Sequence, residues 1–382
     1  MVKEAKAGMN KKYQDINEVM ANRLDRGYEK YQKEFEDKAL EVLRSGWYVL
    51  GKEVTEFEKE FAQYVGSKHC VSLASGLDAL WIAFKALGIG KGDEVIVQGN
   101  TYIASVMGIT INGATPVFVE PDEYYNIDAA KIEEKISEKT KAILVVHLYG
   151  QASNMGPIMD LAQKYHLRVV EDCAQSHGAV YNGIMTGTFG DIGCFSFYPS
   201  KNLGAFGDAG AIVTNNSELA DYIHVFRNYG SEKRYYNRIV GTNSRLDELQ
   251  AGLLRVRLKH MQELTEEREK LCKLYLQEIK NPEIYLPKIR ENATTVWHQF
   301  VIRCIQRDEL ANYLKENGVG TIIHYPIPPH LSEAYHYLKV ENGSLSITES
   351  LAKQVLSLPL YNGMQEDEQR YVIHKLNEWN GN

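Results

Sequence analysis

The sequence predicts an α/β fold: a mostly parallel central sheet flanked by helices, with a smaller C-terminal α/β domain. Three observations carry this. Short continuous apolar runs alternate with stretches of helical spacing, as expected of strands buried on both faces. A long amphipathic stretch stops at Asn281-Pro282, and fewer than about 100 residues of the same alternation follow it, enough for a small lobe packed on a larger one. At 382 residues the chain has the length of two domains. The expected division is an N-terminal arm over residues 1–22, a large domain over 23–280 and a small domain over 281–382.

The arm is polar and lacks a clean period. Residues 28–45 set Phe35, Ala39, Leu40, Val42 and Leu43 at helical spacing and stop before Gly46. Residues 51–64 do the same with Val54, Phe57, Phe61 and Tyr64. A strand over 70–74 then runs into Ser75-Gly76 and a helix over 77–87. Free N–H groups and the positive end of the helix dipole make such a joint an anion site. It is equally an ordinary helix start with Ser75 as its cap.

Strands over 94–97, 116–119, 142–147 and 168–171 follow, separated by helices over 105–112, 128–136 and 157–165. Ligands of such sheets gather at the carboxyl ends of the strands. There lie Asn100-Thr101-Tyr102, Tyr149-Gly150-Gln151 and the run from Asp172 to His177. A carboxylate ending a buried strand is costly without a partner, so Asp172 either caps the next helix or faces a cation.

The run from Phe195 to Gly210 sets one lysine, Lys201, among aromatics and glycines. Its lead-in (Ile192, Cys194, Phe195, Phe197) reads as a buried strand, and the glycines let backbone approach another group closely. A lysine at the mouth of a cleft is desolvated, which frees its amine to form a Schiff base with an aldehyde. Pyridoxal 5'-phosphate chemistry requires such a lysine, and also an acid at the pyridine nitrogen, the role open to Asp172. Taken alone, Lys201 reads as well as a surface lysine on a loop.

A strand over 211–214 and a helix over 219–229 come next. The loop over 230–241 carries Lys233, Arg234, Tyr235, Tyr236 and Arg238, which suits an anionic substrate or plain solvation. One long helix is expected from Ser244, with Asp247 placed as in a capping box. The small lobe reads as strand 297–304, helix 308–317, strand 320–325, helix 347–354 and helix 366–379. Within it the proline-rich segment from His324 and Tyr325 to His330 has no metal-ligand spacing, so His324 reads as a hydrogen-bonding group.

A net charge of −7 without a basic run argues against nucleic-acid partners. Five scattered cysteines with no Cys-x-x-Cys pair point to reduced thiols and no metal site. No apolar run reaches the roughly 18 residues of a membrane span, and no signal-peptide core opens the chain. The expected setting is cytoplasmic, away from membranes.

Four separated motifs carry a resemblance. They are Ser75-Gly76-Leu77-Asp78-Ala79-Leu80, Glu171-Asp172-Cys173-Ala174-Gln175, the run from Phe195 to Gly210, and the run from Gly241 to Ala251. In this order they resemble the DegT family of sugar-nucleotide aminotransferases, over nearly all the chain from about Gly46 onward. The resemblance implies a fold-type I pyridoxal phosphate (PLP/PMP) enzyme, a homodimer with shared active sites. It implies Lys201 as the Schiff-base lysine and Asp172 as the acid on the ring nitrogen. Ser75, Gly76 and Ser196 would hold the phosphate, Tyr102 would stack on the ring, and Gln175 would lie near its phenolic oxygen. Asn243 would reach the phosphate from the partner subunit.

The implied reaction moves an amino group from L-glutamate to a keto sugar nucleotide. Members acting at C4 commonly carry His-Pro-x-Lys and Thr-Gly-Glu-Gly-Gly, where this chain has Tyr198-Pro199-Ser200-Lys201 and Gly207-Asp208-Ala209-Gly210. The latter pattern resembles the branch making 3-amino-3,6-dideoxyhexoses from dTDP-linked 3-keto sugars, with Tyr198, His324 and Tyr325 toward the substrate. The alternatives are a 4-keto acceptor and a non-catalytic protein using this fold as a regulator or sensor.

Overall fold

The structure is a computed structural model that describes residue 16 and residues 18–381. The helices α1 (Leu24–Glu29), α2 (Gln32–Ser45) and α3 (Lys52–Val65) lead into β1 (His69–Leu73) and α4 (Gly76–Ala86). Then follow β2 (Glu94–Gln98), α5 (Ile103–Thr110), β3 (Thr115–Val119), β4 (Thr140–Val146), α6 (Met155–Tyr165) and β5 (Arg168–Asp172). A small hairpin, β6 (Val180–Tyr181) and β7 (Ile184–Met185), precedes β8 (Ile192–Ser196), β9 (Gly210–Thr214) and α7 (Ser217–Phe226).

A second hairpin, β10 (Ser231–Lys233) and β11 (Tyr236–Asn237), is followed by α8 (Glu248–Lys259) and α9 (Met261–Glu278). The remainder comprises β12 (Phe300–Arg303), α10 (Arg307–Glu316), α11 (Ser346–Gln354), β13 (Val355–Leu358) and α12 (Glu366–Glu378).

Seven strands form the central sheet in the order β1-β9-β8-β5-β4-β2-β3. Pairs from β8 to β3 are parallel, whereas β9 runs antiparallel to both of its neighbours. This is the mostly parallel sheet expected. Because β8 and β9 are antiparallel, no crossover helix separates them. Residues 197–209 instead fold back at the carboxyl end of β8, which puts Lys201 at that edge of the sheet. The interior strands carry apolar runs at their centres, and one core packs α4, α5 and α7 against them through Leu80, Phe84, Val106 and Phe226.

Several expectations need correction. The helix expected over 128–136 is two short 3-10 turns, Ala129–Lys131 and Glu133–Lys135. The single helix expected from Ser244 is two helices broken at His260, and the first starts only at Glu248. Ser244 does not cap it: its Oγ accepts from Ala74 N–H at 3.1 Å and donates to Asp78 Oδ2 at 2.6 Å. Instead, Glu248 accepts from the N–H groups of Gly51, Glu53 and Val54 at 2.7–2.9 Å and so caps α3 from across the interface.

No strand forms over 320–325. β12 pairs with β13, whose apolar run the sequence reading passed over, and only an isolated bridge joins Ile322 to Ser357. Residues 1–15 of the expected arm lie outside the described residues. Val19, at its end, is fully buried and its backbone bonds Gly318 and Gly320 at 2.8 Å each. A second core gathers Val19, Tyr275, Phe300, Leu356 and Leu376, so α9 contributes to it along with the C-terminal elements.

Among the described residues no helix is long and apolar enough to cross a membrane.

Candidate active site

A cavity of about 510 Å³ opens at the carboxyl ends of β2, β4, β5 and β8. It is lined by Ser75, Gly76, Tyr102, Asp172, Gln175, Ser196, Tyr198, Lys201, His324 and Tyr325, every predicted site residue except Asn243. Asn243 is exposed and donates to the Tyr229 hydroxyl at 3.0 Å, outside the cavity. The elements explain the convergence. Each contributing loop leaves the same end of a parallel strand, and the small lobe adds His324 and Tyr325 from the facing side.

The lysine loop is held in shape by its own backbone and by α8. Phe197 N–H donates to Ala209 O at 2.8 Å, Ala205 N–H to Phe197 O at 2.7 Å and Lys201 N–H to Tyr198 O at 2.8 Å. From α8, Gln250 Oε1 accepts from Phe206 N–H at 2.8 Å. Burial pulls the Lys201 ammonium down to about 8, opposed by the Asp172 charge. The imidazoles nearby do not add to its surroundings as cations. Burial lowers His177 to about 3, His324 to about 4 and His298 well below its ordinary range, each helped by the Lys201 charge.

Asp172 is 5% exposed. Ser105 donates to its Oδ2 at 2.7 Å and Ala174 N–H to its Oδ1 at 3.1 Å, which fixes the carboxylate plane. Burial raises its pKa, and those two bonds and the Lys201 charge oppose the rise. Among the described residues it makes no ion pair, so its open side faces the cavity without a cation bonded to it. The neighbouring Glu171 points to the other side of the strand. It takes N–H groups of Gly187, Phe189 and Gly190 at 2.7–2.8 Å and meets His147 Nε2 at 3.0 Å. His147 Nδ1 accepts from Ser153 N–H at 3.0 Å, so this buried group is satisfied internally.

At the opposite end of the cavity, Ser75 is the N-cap of α4, its Oγ accepting from Asp78 N–H at 3.1 Å. The hydroxyl proton remains free to donate, so the capping and anion readings of this residue are compatible. A Cβ on Gly76 would overlap Ser196 Cβ, and one on Gly210 would overlap the Ser75 carbonyl. Glycine at both positions is what brings the first turn of α4 against Ser196. Tyr102 is half exposed and its ring lies 5.0 Å from that of Tyr325.

Gln175 joins the lobes. Its Oε1 accepts from Tyr149 N–H at 2.7 Å and its Nε2 donates to Tyr325 Oη at 3.0 Å. The Tyr325 oxygen is therefore an acceptor there, and its own proton is free for the cavity. Burial raises the pKa of this phenol, which keeps it protonated. Tyr149 Oη donates to the His324 carbonyl, and His324 Nδ1 bonds Ser357 Oγ at 2.8 Å.

Sequence reasoning missed Ser105, Asp208, His298 and Gln299, all of which line the cavity. Ser105 sits on the first turn of α5 after the β2 strand end and carried a positional signal; His298, at the entry to β12, carried none.

These groups fit pyridoxal phosphate. A helix N-terminus with two serines and a glycine suits a dianionic phosphate, an unpaired buried carboxylate suits a protonated ring nitrogen, and a lysine with a depressed pKa suits an aldehyde. An aromatic ring, Tyr102, stands at the cavity wall.

Residues 29–377 match the DegT/DnrJ/EryC1/StrS aminotransferase family. Over 351 residues the chain is 51% identical to a dTDP-3-amino-3,6-dideoxy-alpha-D-galactopyranose transaminase of Aneurinibacillus thermoaerophilus, covering 92% of this chain and 96% of that one. It is 45% identical to a dTDP-3-amino-3,4,6-trideoxy-alpha-D-glucose transaminase of Streptomyces venezuelae, over 93% and 94% of the two chains. The crystal structure of S. venezuelae DesV in complex with a ketimine intermediate superposes with a TM-score of 0.93 at 44% identity, over 95% and 99%.

Proposed function

The chain belongs to the DegT/DnrJ/EryC1/StrS aminotransferase family, and from this we propose that it transfers an amino group from L-glutamate to C3 of a dTDP-3-keto-6-deoxyhexose, giving dTDP-3-amino-3,6-dideoxyhexose. The observation that carries the reading is one cavity that brings Lys201, Asp172 and the Ser75-Gly76-Ser196 cradle together at the strand ends. Relatives that share nearly the full length of the chain and are named for 3-amino sugars favour C3 over C4. A regulator without turnover would have no use for a lysine with a depressed pKa beside a buried carboxylate.

Bound in this cavity, pyridoxal phosphate supplies an aldehyde and an electron-withdrawing ring able to carry an amino group between two substrates. Ser75, Gly76 and Ser196 would hold its phosphate, and Tyr102 would cover the ring. Asp172, oriented by Ser105 and Ala174, would hold a proton on the ring nitrogen and place negative charge beside it. Lys201 Nζ, whose ammonium form burial disfavours, would serve as anchor and then hold and move a proton at the substrate carbon. Gln175 keeps Tyr325 in place so that its free proton meets an oxygen in the cavity. Tyr198, His324 and Tyr325 border the sugar.

The proposal includes a homodimer in which Asn243 completes the partner's phosphate site, a large domain over 23–280, a small one over 281–382, and a cytoplasmic setting. Two separate apolar cores support two domains, although the second also draws Val19 and Tyr275 from before residue 281, and the exposed position of Asn243 supports the dimer. Incubation of the purified protein with cofactor, L-glutamate and a dTDP-3-keto-6-deoxyhexose tests the reaction. Repeated formation of 2-oxoglutarate together with an amino sugar nucleotide is expected, and binding without turnover would refute it.

A further inference from the structure

Two arginines flank the helix break at His260, and neither has a carboxylate partner among the described residues. Arg257, on α8, donates through Nη1 to the Gly204 carbonyl at 3.0 Å, and its Nε is buried with no hydrogen-bond partner. The rings of Phe35 and Phe206 lie 5.8 and 5.9 Å from the guanidinium. Arg268, on α9 and 5% exposed, donates Nε to Asn362 Oδ1 at 3.0 Å and Nη1 to the Trp297 carbonyl at 2.9 Å.

The one acid adjacent in sequence, Glu267, is turned away: it accepts from Asn362 Nδ2 at 3.0 Å, from Gly363 N–H at 2.7 Å and from Lys30 at 3.2 Å. Burial pushes Arg268 down to about 10; the Cys272 and Glu267 charges oppose this and the Arg257 charge adds to it. Buried charges are normally paired, because carbonyl dipoles alone do not replace a counter-charge.

Arg257 and Arg268 both line a partly open chamber of about 30 Å³, which Lys201 and Asn202 also line. Arg23 borders it as well, but is already paired with Asp25. The chamber has room for roughly two water-sized particles and is adequate for a halide. Two guanidiniums without carboxylate partners among the described residues thus border a space for a small particle.

We propose that this chamber binds a monovalent inorganic anion of chloride size, held by Arg257 and Arg268 beneath the Lys201 loop. The anion replaces the missing carboxylate and ties α8 and α9 to the loop that carries the lysine. Its site is separate from the phosphate cradle at Ser75, which lies across the main cavity.

Crystals of the cofactor-loaded protein grown in sodium bromide test this directly. An anomalous peak between Arg257 and Arg268, lost in Arg257→Met, is expected. In solution, replacing sodium gluconate by sodium chloride at constant ionic strength should raise the melting temperature of the wild type by about 2 °C and leave that of Arg257→Met unmoved, the size expected for a tenfold excess of ligand over its Kd in a chain of this length. A chamber holding only water, a carboxylate of a second copy lying there, a peak that persists in Arg257→Met, or equal melting temperatures in the two salts would overturn the proposal.

Discussion

At the scale of single residues, the proposed chemistry rests on Lys201 and Asp172. Lys201 is depressed from its ordinary 10.5 to about 8 chiefly by burial, so in the cofactor-free protein the unfolded chain binds a proton between these values that the folded chain does not. Stability should therefore rise with pH from about 8 to about 10.5, and the full penalty should persist below 8. Comparing urea midpoints across this window with those of Lys201→Met measures it, and identical pH slopes in the two proteins would count against a desolvated lysine. Asp172→Asn keeps the shape and the bond from Ser105 but removes the charge. It should lower kcat by roughly 10²–10³ while leaving the melting temperature nearly unchanged.

Both residues were legible in the sequence, one through its aromatic and glycine surroundings and the other through its place at a strand end. The Gln175 link to Tyr325 was not. It spans 150 residues and depends on how the small lobe is seated, which no local pattern encodes.

At the scale of elements, the sheet strands were legible because burial on both faces leaves continuous apolar runs. Failures occurred where a tertiary contact overrides a local pattern. Ser244 carries the signature of a helix cap, yet Asp78 takes its hydroxyl and the helix begins four residues later. Residues 320–325 read as a strand, yet β13 holds the edge of β12. The cap of α3 is likewise non-local. Glu248 satisfies three of its first N–H groups from 194 to 197 residues away. Glu248→Ala should cost about 2–3 kcal/mol, the value of charge-assisted bonds whose loss leaves donors unsatisfied, and Glu248→Gln less. Urea denaturation at unchanged m reads this loss, and a cost below about 0.5 kcal/mol would show that water replaces the carboxylate.

At the scale of the whole molecule, the proposed dimer makes a prediction that a monomer cannot satisfy. Lys201→Ala and Asn243→Ala would each be inactive alone, the first for lack of the amine and the second for a weakened phosphate site. Mixed under exchanging conditions, they should recover about a quarter of wild-type activity, since half of the dimers are then mixed and each carries one intact site. Absence of recovery despite subunit exchange would place Asn243 outside the partner's site.

Delivery of the amino group to C3 of the sugar by this cavity is decided by loading the protein with the amino form of the cofactor, offering dTDP-3-keto- and dTDP-4-keto-6-deoxyglucose separately, and locating the new amine by NMR. A product from the 3-keto sugar with nitrogen on C3 is expected; a product bearing nitrogen only on C4 would overturn the assignment.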